Sequence, residues 1–140
     1  MKKNANKGFS LVELIIVIAI MAVLIGVLAP QFIKYVEKSK ESKDITNLDT
    51  CVEAIKIYYA DRDDAPATAT VGAKKAAAFA STEAQAALTD AGCASSIVAG
   101  KWADPGISAT INFTTGEVTY AGTATYFKVN DSKTAFEPVK

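Results

Sequence analysis

Between Leu14 and Ile33 the chain runs for 20 residues without a charged side chain. At roughly 1.5 Å per residue, a helix of that length spans about 30 Å, the thickness of a bilayer's hydrocarbon core. One membrane-length helix is therefore the first constraint on the fold. Half of the 140 residues are apolar, but unevenly so, and from Lys34 onward the composition is that of one small soluble domain. One residue breaks the pattern at its start. Glu13 lies inside "KGFSLVELIIVIAI", residues 7 to 20, and a carboxylate at the centre of a membrane helix costs on the order of 2.5–3.5 kcal/mol. So costly a side chain calls for a purpose.

Basic and acidic side chains number 15 each, a balance that points away from nucleic acid as a specific partner. The charge is nonetheless asymmetric, because residues 1–8 hold Lys2, Lys3 and Lys7 and no acid. By the positive-inside rule that end lies in the cytoplasm, and the C-terminal domain lies outside, where disulfides are permitted. An ordinary signal peptide would be cut after its apolar core, beyond small residues. Val27-Leu28-Ala29 suits that cut, but Pro30 follows and the apolar run is long for a signal. A plain single-pass anchor fits the length and leaves Glu13 unexplained.

A short basic leader, then Gly8-Phe9-Ser10-Leu11-Val12-Glu13, then a long apolar helix resembles the type IV prepilin signature. The family comprises type IV pilins and the pseudopilins of secretion and DNA uptake. The resemblance covers residues 7–36 and is architectural beyond them. It implies cleavage between Gly8 and Phe9 by a membrane prepilin peptidase, with methylation of the new amino terminus at Phe9. Glu13 matches the family's glutamate at the fifth mature position, and Pro30 falls where many members carry a helix-kinking proline. Cleavage would create an α-amine with a reference pKa of roughly 7.7–8, cationic at neutral pH. In apolar surroundings that cation needs a counter-charge, and Glu13 of a neighbouring subunit or of its own can supply it. Breaking a buried pair of this kind costs about 3–5 kcal/mol, enough to fix the axial register of a polymer. Glu13 is thus expected to be the assembly residue.

Ile45, Leu48, Val52, Ile55 and Tyr59 recur at three- and four-residue steps, the mark of an amphipathic helix. The expected helix therefore extends from Phe9 to Ala60, membrane or filament core over 9–33 and amphipathic over 34–60. Its weak point is Gly26 with Pro30: the proline cannot bond the carbonyl of Gly26 four residues back. A kink follows from that pair, or a segment able to unwind in a packed filament. The mixed charges from Lys34 to Asp44 read as a solvated face or as a contact surface between stacked subunits.

Residues 61–140 are expected to form the extracellular domain. Asp61 to Pro66 is a loop, and Ala73 to Ala91 reads as alanine-rich helix ended by Gly92. Ser81-Thr82-Glu83 could restart that helix as a second short one. Ile107 to Thr114 alternates like a half-buried strand, Thr115-Gly116 turns it, and Val118 and Tyr120 return it. Thr125 to Val129 makes a third strand. The fold class is α+β, with the long helix packed against a small antiparallel meander. Cys51 and Cys93 suggest one bridge in an exported domain; two buried thiols are the alternative. With two cysteines and no histidine, a zinc site lacks its ligands.

Asp61, Asp63 and Asp64 lack the spaced oxygens of a calcium loop. Asn112-Phe113-Thr114 matches a glycosylation pattern and is read as coincidence on a strand. Lys74-Lys75 and Lys101-Trp102 form no basic stripe, and Trp102 reads as packing. No catalytic residues, metal or cofactor are expected. The expected protein is a structural subunit that inhabits the cytoplasmic membrane and then polymerises with its own copies at the cell surface. Its partners would be the peptidase, an assembly platform and an ATPase. A pseudopilin piston, or a monomeric membrane-anchored binding domain, are the alternatives.

Overall fold

A computed structural model describes residues 8–139; the remainder of the expected leader, residues 1–7, lies outside them. The chain divides into two compact units, one ending at Val36 and the other running from Glu37. The helix α1 (Leu11–Tyr59) contributes to both.

In the first unit α1 is apolar all round, and its large side chains from Leu11 to Ile33 are all exposed. None of the most apolar stretch is buried within the chain. A helix apolar on every side needs lipid or other helices around it, because water would face far more hydrocarbon than a soluble surface carries. Pro30 lies inside α1 without ending it. Membrane helices tolerate such a proline.

In the second unit the stripe read from the sequence is the core face of α1. Leu48, Val52 and Ile55 are buried, while Ile45 and Tyr59 pack against the same cluster. Facing them is a four-stranded antiparallel sheet of order β2-β1-β3-β4. Its members are β1 (Thr68–Ala73), β2 (Ala80–Ser81), β3 (Ile107–Asn112) and β4 (Val118–Ala121). In β3 the residues Ile107, Ala109 and Ile111 point into the core, and Ser108, Thr110 and Asn112 away from it. Gly116 turns the chain at a φ of 75°, and β4 returns with Val118 opposite Ile111. A separate two-stranded sheet joins β5 (Phe127–Val129) to β6 (Phe136–Pro138).

Two expectations are corrected. Ala73–Ala91 is not one alanine-rich helix: it is the end of β1, then β2, then the short α2 (Gln85–Asp90). The sheet is the reason, since β1 pairs along its whole length with β3, from Thr68 opposite Asn112 to Ala73 opposite Ile107. That ladder outweighs alanine's helix propensity, a weak prior against tertiary pairing. Phe79 is buried from an irregular segment instead. A second short helix does follow, but it starts at Gln85 from Ala84 rather than at Ser81, which belongs to β2. The Ser81 hydroxyl accepts from Ala84 N at 3.1 Å, and Gln85 Oε1 accepts from Ser81 N at 3.1 Å. The second correction concerns the meander. The strand after residue 125 joins β6 rather than extending β3-β4, and the sheet's inner neighbour is β1.

Candidate functional site

The first candidate is the segment before α1. Gly8, Phe9 and Ser10 are non-helical and exposed, and the helix begins at Leu11. Ser10 caps it. The Ser10 hydroxyl accepts from Val12 N at 3.3 Å, and the Ser10 carbonyl accepts from Leu14 N at 3.1 Å. Glu13 turns back along the same turn, its Oε2 accepting from Ser10 N at 3.0 Å. This is the reciprocal arrangement of a capping box, Ser-x-x-Glu, which satisfies amides that the helix cannot. With the Gly8–Phe9 bond intact, the Glu13 carboxylate is therefore held one residue beyond the nitrogen that cleavage would convert to an amine. The Ser-x-x-Glu spacing carried this cap in the sequence, and Ser10 was missed.

Gly8 has a further property. A Cβ built on it meets nothing within 4 Å, and its φ is not in the left-handed region. Among the described residues, neither crowding nor backbone conformation calls for glycine there. A Cβ on Gly26 likewise meets nothing within 4 Å, so Gly26 and Pro30 share a turn without packing against other parts of the chain.

The second candidate is a seat on α1 for two loops of the outer domain. Glu41 and Asp44 are wholly buried. Asp44 Oδ1 accepts from Ala99 N at 3.0 Å, and its Oδ2 accepts from Gly100 N at 2.6 Å and Trp102 Nε1 at 2.9 Å. Glu41 accepts from Thr125 N at 3.2 Å and Tyr126 N at 2.8 Å. The mixed-charge stretch is thus neither a wholly solvated face nor only an outward surface; two of its acids are internal clamps. Glu37, one turn earlier, pairs with Lys101 and holds that ammonium above its usual range. Gly100 is small of necessity, because a Cβ there would lie 2.8 Å from Asp44 Oδ2 and 2.9 Å from Glu41 Cγ.

Glu41, Asp44, Gly100 and Trp102 were not read as a unit. Their signal was the apolar stripe itself: stepping back from Leu48 by four and three lands on Asp44 and Glu41.

Cys51 and Cys93 are two buried thiols of the same core cluster, unbonded in this structure. Burial first, and the Cys93 side chain second, push the Cys51 thiol up. Lys74 pairs with Asp104 at 3.6 Å, and Trp102 is core, as its packing role required. Among the described residues no cluster of three or more His, Cys, Asp or Glu is placed to hold a metal, Asp61, Asp63 and Asp64 included.

The family described as "Prokaryotic N-terminal methylation motif" matches residues 3–29, the stretch that contains Gly8, Phe9, Ser10 and Glu13. The chain is 41% identical over 58 residues to the Type IV major pilin protein PilA of Myxococcus xanthus (strain DK1622), covering 41% of this chain and 26% of that one. Against the Fimbrial protein EcpC of Eikenella corrodens it is 37% identical over 67 residues, 48% of this chain and 44% of that one. With the Type IV major fimbrial protein FimA of Dichelobacter nodosus the identity is 37% over 57 residues, 36% of each chain. In each case the match spans less than half of the relative's length. No solved structure matches the chain.

Proposed function

We propose that this chain is a member of the type IV pilin family and a structural subunit that polymerises through its amino-terminal helix into an extracellular filament. The observation that carries the reading is Glu13: a carboxylate in the first turn of a helix whose large apolar side chains from Leu11 to Ile33 are all exposed, shortly after an exposed Gly8-Phe9.

Hydrolysis of the Gly8–Phe9 bond leaves a carboxylate on Gly8 and an ammonium on Phe9. A glycine that its own chain does not need is consistent with recognition by a peptidase that accepts no side chain before the cut. Glu13 already bonds the neighbouring Ser10 amide, so a modest change of rotamer brings it to the new ammonium. In the membrane the pair neutralises the subunit's own terminus. In a filament the carboxylate of one subunit serves the ammonium of the next, and each subunit offers different surfaces to the copies on either side. Such contacts are heterologous and open-ended. Methylation of the Phe9 amine keeps its charge and removes a hydrogen-bond donor.

The peptidase, an assembly platform and an ATPase are the partners this reading requires, with the cytoplasmic membrane as the precursor's location and the cell surface as the filament's. The protein supplies material, not turnover. The test is a Glu13→Val variant, followed by mass spectrometry of the terminal peptide and microscopy of sheared surface material. Normal processing and insertion without filaments is the expected result. Abundant normal filaments would overturn the role of Glu13, and a wild-type terminus that retains Lys2 and Lys3 within filaments would overturn the pilin reading.

A further inference from the structure

We propose that Cys51 and Cys93 are joined by a disulfide in the exported protein, and that this bond is a permanent tie between α1 and the turn after α2 rather than a reversible switch. The inference rests on the reading above in one respect, that residues 37–140 reach an oxidising compartment. The remainder comes from the core.

The chain holds two cysteines and no more, so only one intramolecular pairing exists. Independent features converge on it. Cys51 is carried to the centre of the core by the stripe that buries Leu48, Val52 and Ile55. Cys93 is carried there by the exit from α2: Gly92 takes the left-handed conformation, φ 71°, and reverses the chain into the 3-10 turn Cys93–Ser95. A Cβ on Gly92 would meet nothing within 4 Å, so its glycine serves the conformation alone. Exposure is 0% at Cys51 and 5% at Cys93.

Burial also decides when the bond forms. The thiolate is the reacting species, and the enclosed Cys51 thiol is pushed up by its surroundings. Oxidation therefore precedes closure of the core. One cysteine thiolate attacks a sulfur of a disulfide donor and expels a donor thiolate. The second cysteine then attacks the mixed disulfide and expels the other. The two cysteines lose two protons and two electrons, and the donor disulfide becomes a dithiol. Once α1 and the sheet enclose the bond, no reductant reaches it without opening the core.

Full-length protein from membranes and from surface filaments should be alkylated with iodoacetamide in denaturant without reductant, digested and weighed. The expected product is a Cys51–Cys93 cross-linked peptide, lighter by two hydrogens than its free halves, with neither cysteine alkylated. Quantitative alkylation of both would overturn the bond. The terminal peptide of the same digest separates the two failures. Free thiols in chains that begin at Phe9 leave the pilin reading standing, whereas free thiols in chains that keep the leader count against both. A second measurement tests the permanence. Phosphine reduction of the native protein should be on the order of a hundredfold slower than in denaturant, because the sulfurs are reached only through opening of the core. Equal rates would overturn the permanent tie.

Discussion

Asp44 answers three N–H donors with one carboxylate; the bonds to Gly100 and Trp102 are buried and the one to Ala99 is part-buried. Removing it leaves the amides of Ala99 and Gly100 and the indole of Trp102 without partners. Buried donors left unpaired cost about 1–3 kcal/mol each when nothing replaces the acceptor. Asp44→Ala should therefore destabilise the outer domain by roughly 3–5 kcal/mol, within the largest effects single changes produce. Trp102→Phe deletes a single donor and should cost only about 1 kcal/mol in lost hydrogen bonding. Thermal unfolding of the detergent-solubilised full chain measures both. A loss at Asp44 no larger than at Trp102 would mean that water replaces the carboxylate. At the other end of α1, Ser10→Ala removes a cap worth about 1 kcal/mol and should speed amide exchange at Val12. Unchanged exchange there would show that Glu13 alone secures the first turn.

At the scale of elements, what was legible depended on whether an element's signal lay in its own side chains. The core face of α1 and the alternation of β3 both did, because large apolar residues mark the periods of 3.6 and 2. β1 did not. Its inward positions are Ala69, Val71 and Ala73, too small to stand out, and its strand character comes from β3, some 40 residues later. The Thr70 and Thr110 hydroxyls lie 3.0 Å apart across that ladder. The buried acids of α1 were hidden for a related reason: apart from the Trp102 indole, their partners are backbone amides 55 to 85 residues away, which no residue type announces. The segment between β1 and α2 offers a direct contrast. Phe79 is 1% exposed, whereas Ile97, which lies beyond α2 and bridges Phe79's neighbour Ala78, is 60% exposed. Phe79→Ala should cost about 3–5 kcal/mol, and Ile97→Ala should stay within about 0.5 kcal/mol. Similar losses at the two positions would contradict the observed burial.

For the whole molecule, the proposed filament raises the question of whether Glu13 would serve its own terminus or another subunit's. Both pairings satisfy the charge, and both predict that a pure Glu13→Val population fails. They differ in a mixture. Suppose the carboxylate serves only its own ammonium. Variant subunits are then simply excluded, and co-expressed wild-type chains build filaments of normal length in reduced number. If instead it serves a neighbour, a variant subunit still offers a paired ammonium on one side and leaves the next ammonium without a counter-charge on the other. Each incorporation then costs about 3–5 kcal/mol at the growing contact, a factor of roughly 150 to 5,000 in addition. Growth stalls there, so equal co-expression should shorten filaments sharply rather than merely thin their number. Length distributions from micrographs of sheared filaments, with the variant fraction read by mass spectrometry, distinguish the outcomes. Unchanged length with no variant incorporated would assign the pair to a single subunit, and register would then have to come from the apolar surfaces of α1.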